Sequence, residues 1–362
     1  MIPMVDLKIQ YQNLKKEIDA SIIEALGNTQ FILGPNVQAF EKEAAEHLGV
    51  KHALSCASGT DALHLALLAA GITEGDEVIT TSFTFIATAE AIRYVGATPV
   101  YVDIKPDTLN IDADLIEAAI TEKTKAIIPV HIFGQPADMS KIMSLAEKHK
   151  LMVIEDCAQS YGAKIGESAT GGIGLAGCHS FFPSKNLGCY GDGGMVTTND
   201  DAIADQVRIY RNHGSSVRYH HDVIGYNSRL DELQAVILRI KHKHIETYNK
   251  ERRRVAHSYS AQLKDIVTVP YEDNIGTHVY HQYTVLTDKR DAIMAALAEK
   301  QIGCAVYYPI PLHKQNAFTE ECKDVSLPVT EDTVKYCMSL PVFPEMTEEQ
   351  ITLVCDTIKS AV

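Results

Sequence analysis

Two patterns of hydrophobic and polar positions alternate through the first two thirds of the chain. Short apolar runs rich in β-branched residues are separated by segments whose apolar residues recur at helical spacing, which is typical of parallel strands joined by helical crossovers. Seven strands are predicted, at residues 52–55, 77–81, 98–102, 125–130, 152–155, 179–182 and 194–198. The pattern therefore predicts an α/β fold with one wide, mainly parallel sheet.

Helical patterns supply the layers that cover this sheet. Residues 59–70 are almost wholly apolar and residues 139–149 are amphipathic, so both faces of the sheet have a helix to cover them. Ahead of the sheet, apolar residues from Leu14 to Leu26 recur at helical spacing and stop at Gly27-Asn28, which we interpret as a left-handed C-cap. A second helix is predicted after Pro35.

The last third of the chain has a different order of elements. A segment free of Gly and Pro from Arg229 to about Lys264 predicts one long connecting helix. Beyond it we predict a strand at 279–286, a helix at 288–301, a strand at 305–308 and two more helices, the last opening with a capping box of Thr347 and Gln350. We place the boundary near residue 245, with a large domain at 1–245 and a small α+β domain at 246–362.

Composition narrows the functional classes. The chain has 362 residues and 33 basic against 47 acidic ones, a net charge of −14, which argues against a nucleic-acid partner and against a polybasic membrane surface. No export signal is visible because Asp6 and Lys8 interrupt the N-terminus, so a cytoplasmic location is predicted. The longest apolar stretch, 62–72, is about half of the roughly 20 residues that cross a bilayer. Eight scattered cysteines without a CxxC are expected to be reduced and mostly buried.

Candidate chemistry lies just after the strands, where open parallel sheets bind ligands. Residues 58–61 (Ser-Gly-Thr-Asp) open the apolar helix and offer free backbone N–H groups to a phosphate, although this tetrapeptide alone favours an ordinary helix cap. Asp156 ends the fifth strand, and Lys185 follows the sixth among small and aromatic residues. Taken singly, Asp156 and Lys185 are each more typical of a charged side chain in a solvent-exposed loop. Together, an amine, a carboxylate and a phosphate seat fit one cofactor.

Two other patterns point to no ligand. Residues 172–177 match GxGxxG, but they follow a polar loop and precede a strand, whereas a dinucleotide fingerprint follows a strand and opens a helix. The pairs His220-His221 and His242/His244 lack further ligands at suitable spacing, so no metal site is predicted.

These residues belong to a series of motifs that resembles a known family. The chain resembles, from end to end, the DegT/StrS-type sugar aminotransferases, a branch of the aspartate aminotransferase-like (fold type I) pyridoxal phosphate enzymes. The resemblance rests on ordered blocks at residues 31–35 (FILGP), 58–63 (SGTDAL), 84–88 (TFIAT), 155–159 (EDCAQ), 180–188 (SFFPSKNLG), 191–194 (GDGG), 227–231 (NSRLD) and 308–313 (YPIPLH).

The resemblance implies roles for the residues that match the family's motifs. Lys185 stands where the family has the lysine that forms the internal aldimine and shuttles the proton, and Asp156 where a carboxylate keeps the pyridine nitrogen protonated. The other matching cofactor-binding positions are Gln159 at the ring hydroxyl, Phe85 stacked on the ring, Gly59, Thr60 and Ser180 at the phosphate, and Asn227 reaching the phosphate of the neighbouring subunit. A homodimer with shared active sites is therefore implied.

The implied reaction is a ping-pong transamination that moves an amino group from L-glutamate to a keto-sugar for bacterial surface polysaccharide such as lipopolysaccharide O-antigen. The segments 218–221 and 225–231 are similar to the subgroup acting on nucleotide-linked 3-keto hexoses and hexosaminuronates, with an 8-oxo octulosonate that carries no nucleotide as the alternative. Candidate substrate contacts are Arg229, Tyr308, His313 and His220, and for Arg229 an interface salt bridge is an equal alternative.

Two rival functions are disfavoured by the residues present. A pyridoxal phosphate sugar dehydratase would have histidine in place of Lys185. A non-catalytic regulator would be expected to lose some of Asp156, Gln159 and Lys185, and all three are present.

Overall fold

Seven strands form one sheet in the computed structural model, which describes residues 1–318 and 322–362. Along the chain, the strands of the described residues are β1 His52–Cys56, β2 Glu77–Thr81, β3 Thr98–Val102, β4 Thr124–Ile127, β5 Met152–Asp156, β6 Lys164–Ile165, β7 Ser168–Ala169, β8 Ala176–Ser180, β9 Gly194–Thr198, β10 Tyr283–Leu286 and β11 Cys337–Leu340. The large sheet has the order β1-β9-β8-β5-β4-β2-β3. Its strands run parallel except β9, which is antiparallel to both β1 and β8. The predicted α/β class and seven-stranded, mainly parallel sheet are confirmed.

The bounds of the sixth large-sheet strand differ from the prediction. It was expected at 179–182, and the structure has β8 at Ala176–Ser180. The strand contains Gly177, where a Cβ would lie 2.2 Å from the Gly171 Cα, so only glycine allows the neighbouring loop to pack this closely. The shift places Phe181 to Lys185 beyond the strand, in the loop that faces the ligand edge of the sheet.

Twelve α-helices of the described residues surround the strands. They are α1 Leu7–Asn28, α2 Pro35–Leu48, α3 Gly59–Ala69, α4 Ala87–Tyr94, α5 Ala113–Ile116, α6 Met139–His149, α7 Asp201–Tyr210, α8 Glu232–His242, α9 Ile245–Leu263, α10 Arg290–Glu299, α11 Pro328–Tyr336 and α12 Glu348–Ala361. The apolar α3 packs against β8, β9, α4 and α7, and its side chains Leu63, Leu65 and Leu67 are buried. The predicted cap at Gly27-Asn28 is wrong by one residue, since Thr29 takes the left-handed conformation.

The predicted long helix from Arg229 to Lys264 is also wrong in its continuity. It divides at Lys243 and His244 into α8 and α9. The division follows from packing: apolar residues of α8 join clusters with α1 and α2, whereas those of α9 from Val255 onward join a cluster of C-terminal residues. Because one straight helix cannot present its apolar side to both, the chain turns without any Gly or Pro to signal it.

The C-terminal part holds a two-stranded antiparallel sheet of β10 and β11. The predicted strand at 305–308 contributes only a bridge between Ala305 and Ser339, and β11 was not predicted because its four residues are all buried and show no alternation. The capping box of Thr347 and Gln350 is confirmed. Ile2 joins the cluster formed by residues 255–358, and the division into domains at residue 245 stays a prediction.

Two further features of the chain are the burial of its cysteines and the character of its longest helices. Seven of the eight cysteines are buried and Cys304 is half-buried. Within residues 1–318 and 322–362, no helix has the length and apolar character needed to cross a membrane.

Candidate active site

A cavity of about 600 Å³ lies at the carboxyl ends of the parallel strands. The residues that follow β1, β2, β5 and β8 form one side, and segments 281–282 and 306–309 from the C-terminal part form the other. Of the predicted site residues, eight line this cavity: Gly59, Thr60, Phe85, Asp156, Gln159, Ser180, Lys185 and Tyr308. Residues that are far apart in sequence therefore meet in one place.

The N-terminus of α3 opens directly into the cavity. Ser58 is the N-cap, and its hydroxyl accepts a hydrogen bond from the backbone N–H of Asp61 at 3.0 Å. The backbone N–H groups of Gly59 and Thr60 have no partner among the described residues, as is usual for the first turn of a helix. Two free donors at the positive end of a helix dipole suit an anionic group such as a phosphate.

Asp156 at the end of β5 supplies a carboxylate to the cavity. Its Oδ2 accepts a hydrogen bond from the Thr88 hydroxyl at 2.8 Å, and its Oδ1 accepts one from the Ala158 N–H at 3.1 Å. Burial raises the pKa of Asp156, while the hydrogen bonds from Thr88 and Ala158 act in the opposite direction. A cation placed beside it in the cavity would stabilise its ionised form further.

Lys185 lies in the loop after β8 and supplies an amine. Burial lowers the pKa of Lys185 to about 8, and the carboxylate of Asp156 opposes this shift. Its Nζ makes no hydrogen bond or ion pair with the residues in the described ranges. A lysine with a lowered pKa is neutral in a larger fraction of molecules near pH 8, and a neutral amine is the nucleophilic form.

Aromatic and amide groups form the rest of the wall. Phe85 is 56% exposed, and its ring centre lies 6.4 Å from that of Tyr308. Gln159 accepts a hydrogen bond from the Phe133 N–H at 2.6 Å through Oε1 and donates one to the Tyr308 hydroxyl at 2.9 Å through Nε2. Gln159 therefore couples the loop after β4 to the segment that carries Tyr308.

Glu155, next to Asp156, points away from the cavity. It is fully buried, lies 3.0 Å from His131 Nε2, and accepts hydrogen bonds from the N–H groups of Gly171, Ile173 and Gly174. Burial by itself would raise the pKa of Glu155, but the hydrogen bonds from His131 and from the glycine backbone lower it overall. The glycine-rich segment 172–177 therefore wraps a structural carboxylate, in keeping with its rejection as a dinucleotide site.

Four predicted site residues do not line this cavity. Asn227 and His220 are exposed on the segment between α7 and α8. Arg229 is half-buried and donates to Asn212 Oδ1 at 3.0 Å. His313 is buried between Ser82 and Glu331, which lie 2.7 and 3.0 Å from its two ring nitrogens, so its polar atoms have structural partners.

Sequence reasoning missed several residues of the cavity wall. Thr88 is among them: it ends the matching block 84–88 without being assigned a role there, and its hydroxyl lies 3.2 Å from that of Thr84. His281, Gln282 and Tyr307 also line the cavity. They come from the C-terminal part, whose position over the sheet edge no local pattern reveals.

The donor set fits pyridoxal 5′-phosphate. Free N–H groups of Gly59 and Thr60 suit the phosphate, the buried carboxylate of Asp156 suits a protonated ring nitrogen, and the unpaired amine of Lys185 suits the aldehyde. Gly59 also allows a close approach, since a Cβ there would lie 2.6 Å from Ser180 Cβ.

Comparison with known proteins agrees with this site. The profile of the DegT/DnrJ/EryC1/StrS aminotransferase family matches residues 12–359. A UDP-N-acetyl-3-dehydro-α-D-glucosamine 3-aminotransferase of Acidithiobacillus ferrooxidans is 51% identical over 99% of this chain and 97% of its own. A "pleiotropic regulatory protein" of Geobacillus stearothermophilus is 49% identical over the same shares. A UDP-2-acetamido-2-deoxy-3-oxo-D-glucuronate aminotransferase of Pseudomonas aeruginosa is 46% identical over 98% and 99%.

Solved structures give the same result for the fold and its cofactor. DesV of S. venezuelae, in complex with a ketimine intermediate, superposes with a TM-score of 0.97 at 39% identity and covers 99% of this chain and 98% of its own. NtdA of Bacillus subtilis, with bound cofactor PMP, has a TM-score of 0.90 at 31% identity over 96% and 82%. By sequence, by fold and by the residues of its cavity, this chain belongs to the DegT/DnrJ/EryC1/StrS aminotransferase family.

Proposed function

We propose that this protein is a pyridoxal 5′-phosphate-dependent aminotransferase that moves the amino group of L-glutamate to carbon 3 of a nucleotide-linked 3-keto hexose or hexosaminuronate. The observation that carries the proposal is the meeting of Lys185, Asp156 and the free N-terminus of α3 in one cavity. The printed activities of the Acidithiobacillus and Pseudomonas relatives, both on UDP-linked sugars oxidised at carbon 3, support the substrate class.

The cofactor, when bound, supplies an electron sink for the charge that develops at the amine-bearing carbon. Residues of this chain bind the cofactor, hold its ring nitrogen protonated and transfer the proton. The N–H groups of Gly59 and Thr60 bind the phosphate, and the carboxylate of Asp156, kept ionised with the help of Thr88, holds the proton on the ring nitrogen. Lys185 Nζ takes a proton from the amino-bearing carbon of the donor and returns one to the acceptor.

A regulatory role is the alternative that the Geobacillus relative's name raises. A protein that only regulated would have no need of an amine with a lowered pKa opposite a buried carboxylate. Lys185, Asp156 and Gln159 are all present and line one cavity, which favours catalysis.

We also propose that the enzyme is a homodimer with shared active sites, cytoplasmic, and serves surface polysaccharide biosynthesis. The exposed position of Asn227, outside its own chain's cavity, supports a role toward a second subunit. Large apolar side chains on the same segment are exposed, with Tyr219 at 78% and Ile224 at 89%, and exposed apolar side chains of this kind mark contact surfaces.

A visible absorption spectrum of the purified protein tests the activity. We expect a yellow band of bound cofactor that bleaches when L-glutamate is added and returns with one member of a panel of keto-sugars. The panel contains UDP- and dTDP-linked 3-keto sugars and an 8-oxo octulosonate, so the sugar that restores the band identifies the substrate class.

The matched control is Lys185→Ala, which removes the amine and leaves the rest of the wall. It should fold, as judged by circular dichroism, and should show neither bleaching by glutamate nor turnover. A wild-type protein that stays colourless with added pyridoxal phosphate would contradict the proposed activity. Recovery only with the octulosonate would contradict the nucleotide-sugar substrate alone.

A further inference from the structure

Asn186 directly follows Lys185 in the loop after β8, residues 181–189, which we call the lysine loop. Its side chain is buried, and its Nδ2 donates hydrogen bonds to Asn249 Oδ1 at 2.8 Å and to Val279 O at 2.9 Å. In the parts of the chain that the structure describes, these are the hydrogen bonds that join Lys185 and the two residues on each side of it to other elements. Because consecutive Cα atoms are about 3.8 Å apart, the contacts that hold Asn186 also fix the backbone of Lys185.

Asn249 lies on α9 and connects the lysine loop to the loop that follows β5. Its Oδ1 accepts from Asn186, and its Nδ2 donates to Tyr161 O at 3.0 Å. Tyr161 is two residues beyond Gln159, on the loop that follows Asp156. One amide therefore joins the loop that carries the amine of the cavity to the loop that carries its carboxylate.

The orientation of both amides is determined by their partners. Val279 and Tyr161 offer carbonyl oxygens, which only accept hydrogen bonds, so each of them must face an amide nitrogen. This leaves Asn249 Oδ1 to face the second N–H of Asn186, and donors and acceptors agree at all three contacts. Aspartate and leucine are close to asparagine in shape, but they lack the N–H groups that these contacts need.

The contact between α9 and the loop after β5 is too close for a side chain at residue 162. Gly162 has a φ of +83°, and a Cβ there would lie 2.7 Å from Asn249 Nδ2. Asn249 is 5% exposed, so solvent has little access to its amide. Close packing and burial therefore hold the amide in one arrangement.

We propose that Asn249 is a positioning residue that acts through Asn186 to hold the backbone of Lys185 in place against the loop that carries Asp156 and Gln159. The inference rests on the proposed aminotransferase function and deepens it. Lys185 Nζ serves the amino donor and the sugar in turn, so a displaced lysine loop misdirects the amine in both half-reactions. Asn249 does not line the cavity, so its loss should leave the binding of the sugar unchanged.

The first measurement follows the two half-reactions of the holoenzyme in single-turnover experiments with glutamate and with the keto-sugar. Asn249→Ala should slow both by a similar factor, about tenfold. The sugar concentration that gives half of the maximal rate should stay the same. The variant should fold, because alanine is a good helix former within α9.

A double-mutant cycle shows whether the two asparagines act through one contact. Asn186→Ala should slow both half-reactions at least as much as Asn249→Ala, because it also loses the hydrogen bond to Val279. The factors of two independent substitutions would multiply. If the two residues act through their shared contact, the variant with both substitutions is no slower than Asn186→Ala alone.

A second readout needs no cofactor. Burial outweighs the attraction of Asp156 and lowers the pKa of Lys185 to about 8. A lysine loop released from Asn249 should bring the amine into contact with more water, so the pKa of Lys185 should rise in Asn249→Ala, by about one pH unit. It is followed by NMR of ¹³C-labelled lysine in the cofactor-free chain, with the resonance assigned by its loss in Lys185→Ala.

Tyr259→Phe is the matched control on the same helix. The side chain of Tyr259 is fully buried, and its hydroxyl donates to Pro341 O at 3.0 Å. The control therefore also removes a buried hydrogen bond from α9 to a backbone carbonyl, but on the side away from the lysine loop. It should lower the melting temperature, as Asn249→Ala does, while leaving the pKa of Lys185 and both half-reactions unchanged.

Any of three results would overturn the proposal. They are an unchanged pKa of Lys185 in Asn249→Ala, losses that multiply in the double variant, and a loss confined to the sugar half-reaction. If the wild-type protein performs no transamination, the proposed function fails, yet the pKa comparison in the cofactor-free chain still decides whether Asn249 holds Lys185 in place.

Discussion

Burial acts in opposite directions on the two ionisable groups at the centre of the cavity. It raises the pKa of Asp156 and lowers that of Lys185, because the low-dielectric surroundings disfavour the charged form of each. The mutual attraction of the two groups opposes both shifts. The amine of Lys185 must therefore lose its proton while the carboxylate of Asp156 stays ionised. The hydrogen bond from Thr88 lowers the pKa of Asp156 and so favours the ionised form.

Thr88→Val tests the contribution of the hydroxyl to Asp156. The variant removes a hydrogen bond of 2.8 Å to a buried carboxylate and so raises the pKa of Asp156 further. Because the active form has Asp156 ionised, activity is lost as the pH falls through this pKa, and the loss should begin at a higher pH. We expect kcat/KM to fall by roughly tenfold, with the acid limb of its pH profile displaced upward.

Thr88→Ser is the control, since it keeps the hydroxyl and loses only a methyl group. It should retain the wild-type acid limb. An acid limb that stays in place in Thr88→Val would mean that other groups, such as the N–H of Ala158, suffice to keep Asp156 ionised.

At the scale of elements, the phosphate seat depends on how closely two elements approach. The first turn of α3 and the end of β8 meet at Gly59 and Ser180, where a Cβ on residue 59 would lie 2.6 Å from Ser180 Cβ and 3.1 Å from its Cα. A backbone atom does not move aside as a flexible side chain does. Glycine at 59 therefore keeps the helix N-terminus and the serine hydroxyl within reach of one anion.

Gly59→Ala should separate these two elements and weaken cofactor binding. Overpacking of this kind costs about 1–3 kcal/mol, which, if it falls on the bound state, corresponds to a rise of about 5- to 150-fold in the Kd of pyridoxal phosphate. The Kd is read from the absorbance of the cofactor titrated into the cofactor-free chain.

Gly27→Ala is the matched control within α1, where nothing lies within 4 Å of the added Cβ. It should leave the Kd unchanged and stabilise the helix slightly, since alanine is the better helix former. A wild-type Kd in Gly59→Ala would show that the phosphate does not bind at this contact.

At the scale of the whole molecule, each active site of the proposed dimer contains residues of both chains, with Asn227 contributed by the neighbouring subunit. Asn227 is exposed, and the segment that carries it also exposes Val217, Tyr219 and Ile224. One polar contact within the same chain fixes the residue that follows, since the hydroxyl of Ser228 donates to Asp61 Oδ2 at 2.6 Å. The base of the segment is thus anchored to α3 while Asn227 faces outward.

Mixing two inactive variants tests the sharing of sites. Lys185→Ala and Asn227→Ala subunits, exchanged at random, form heterodimers in which one of two sites has both residues, so activity should return to about a quarter of the wild-type level. The measurement is the rate of sugar amination before and after subunit exchange.

Lys185→Ala mixed with Asp156→Asn provides the control. Both residues line the cavity of their own chain, so no heterodimer contains a complete site and no activity should return. Equal outcomes in the two mixtures would contradict a role of Asn227 across the interface.

Local patterns in the sequence determined much of this protein. The apolar runs of the strands and the apolar α3 predicted the α/β sheet, because buried parallel strands need continuous hydrophobic residues. Residues directly after the strands, among them Asp156 and Lys185, could be located because the carboxyl ends of parallel strands share one edge. The match to family motifs extended this set to Phe85, Gln159 and Tyr308, all of which line the cavity.

Only the tertiary structure decided what depends on contacts between distant segments. The division of one helical pattern into α8 and α9 has no local signal, since it comes from two different clusters on either side. The structure also placed His313 between Ser82 and Glu331 rather than in the cavity, and brought Asn249 of α9 against the lysine loop. Periodicity reports which side of an element is buried, whereas the partner that buries it is set by the packing of the whole chain.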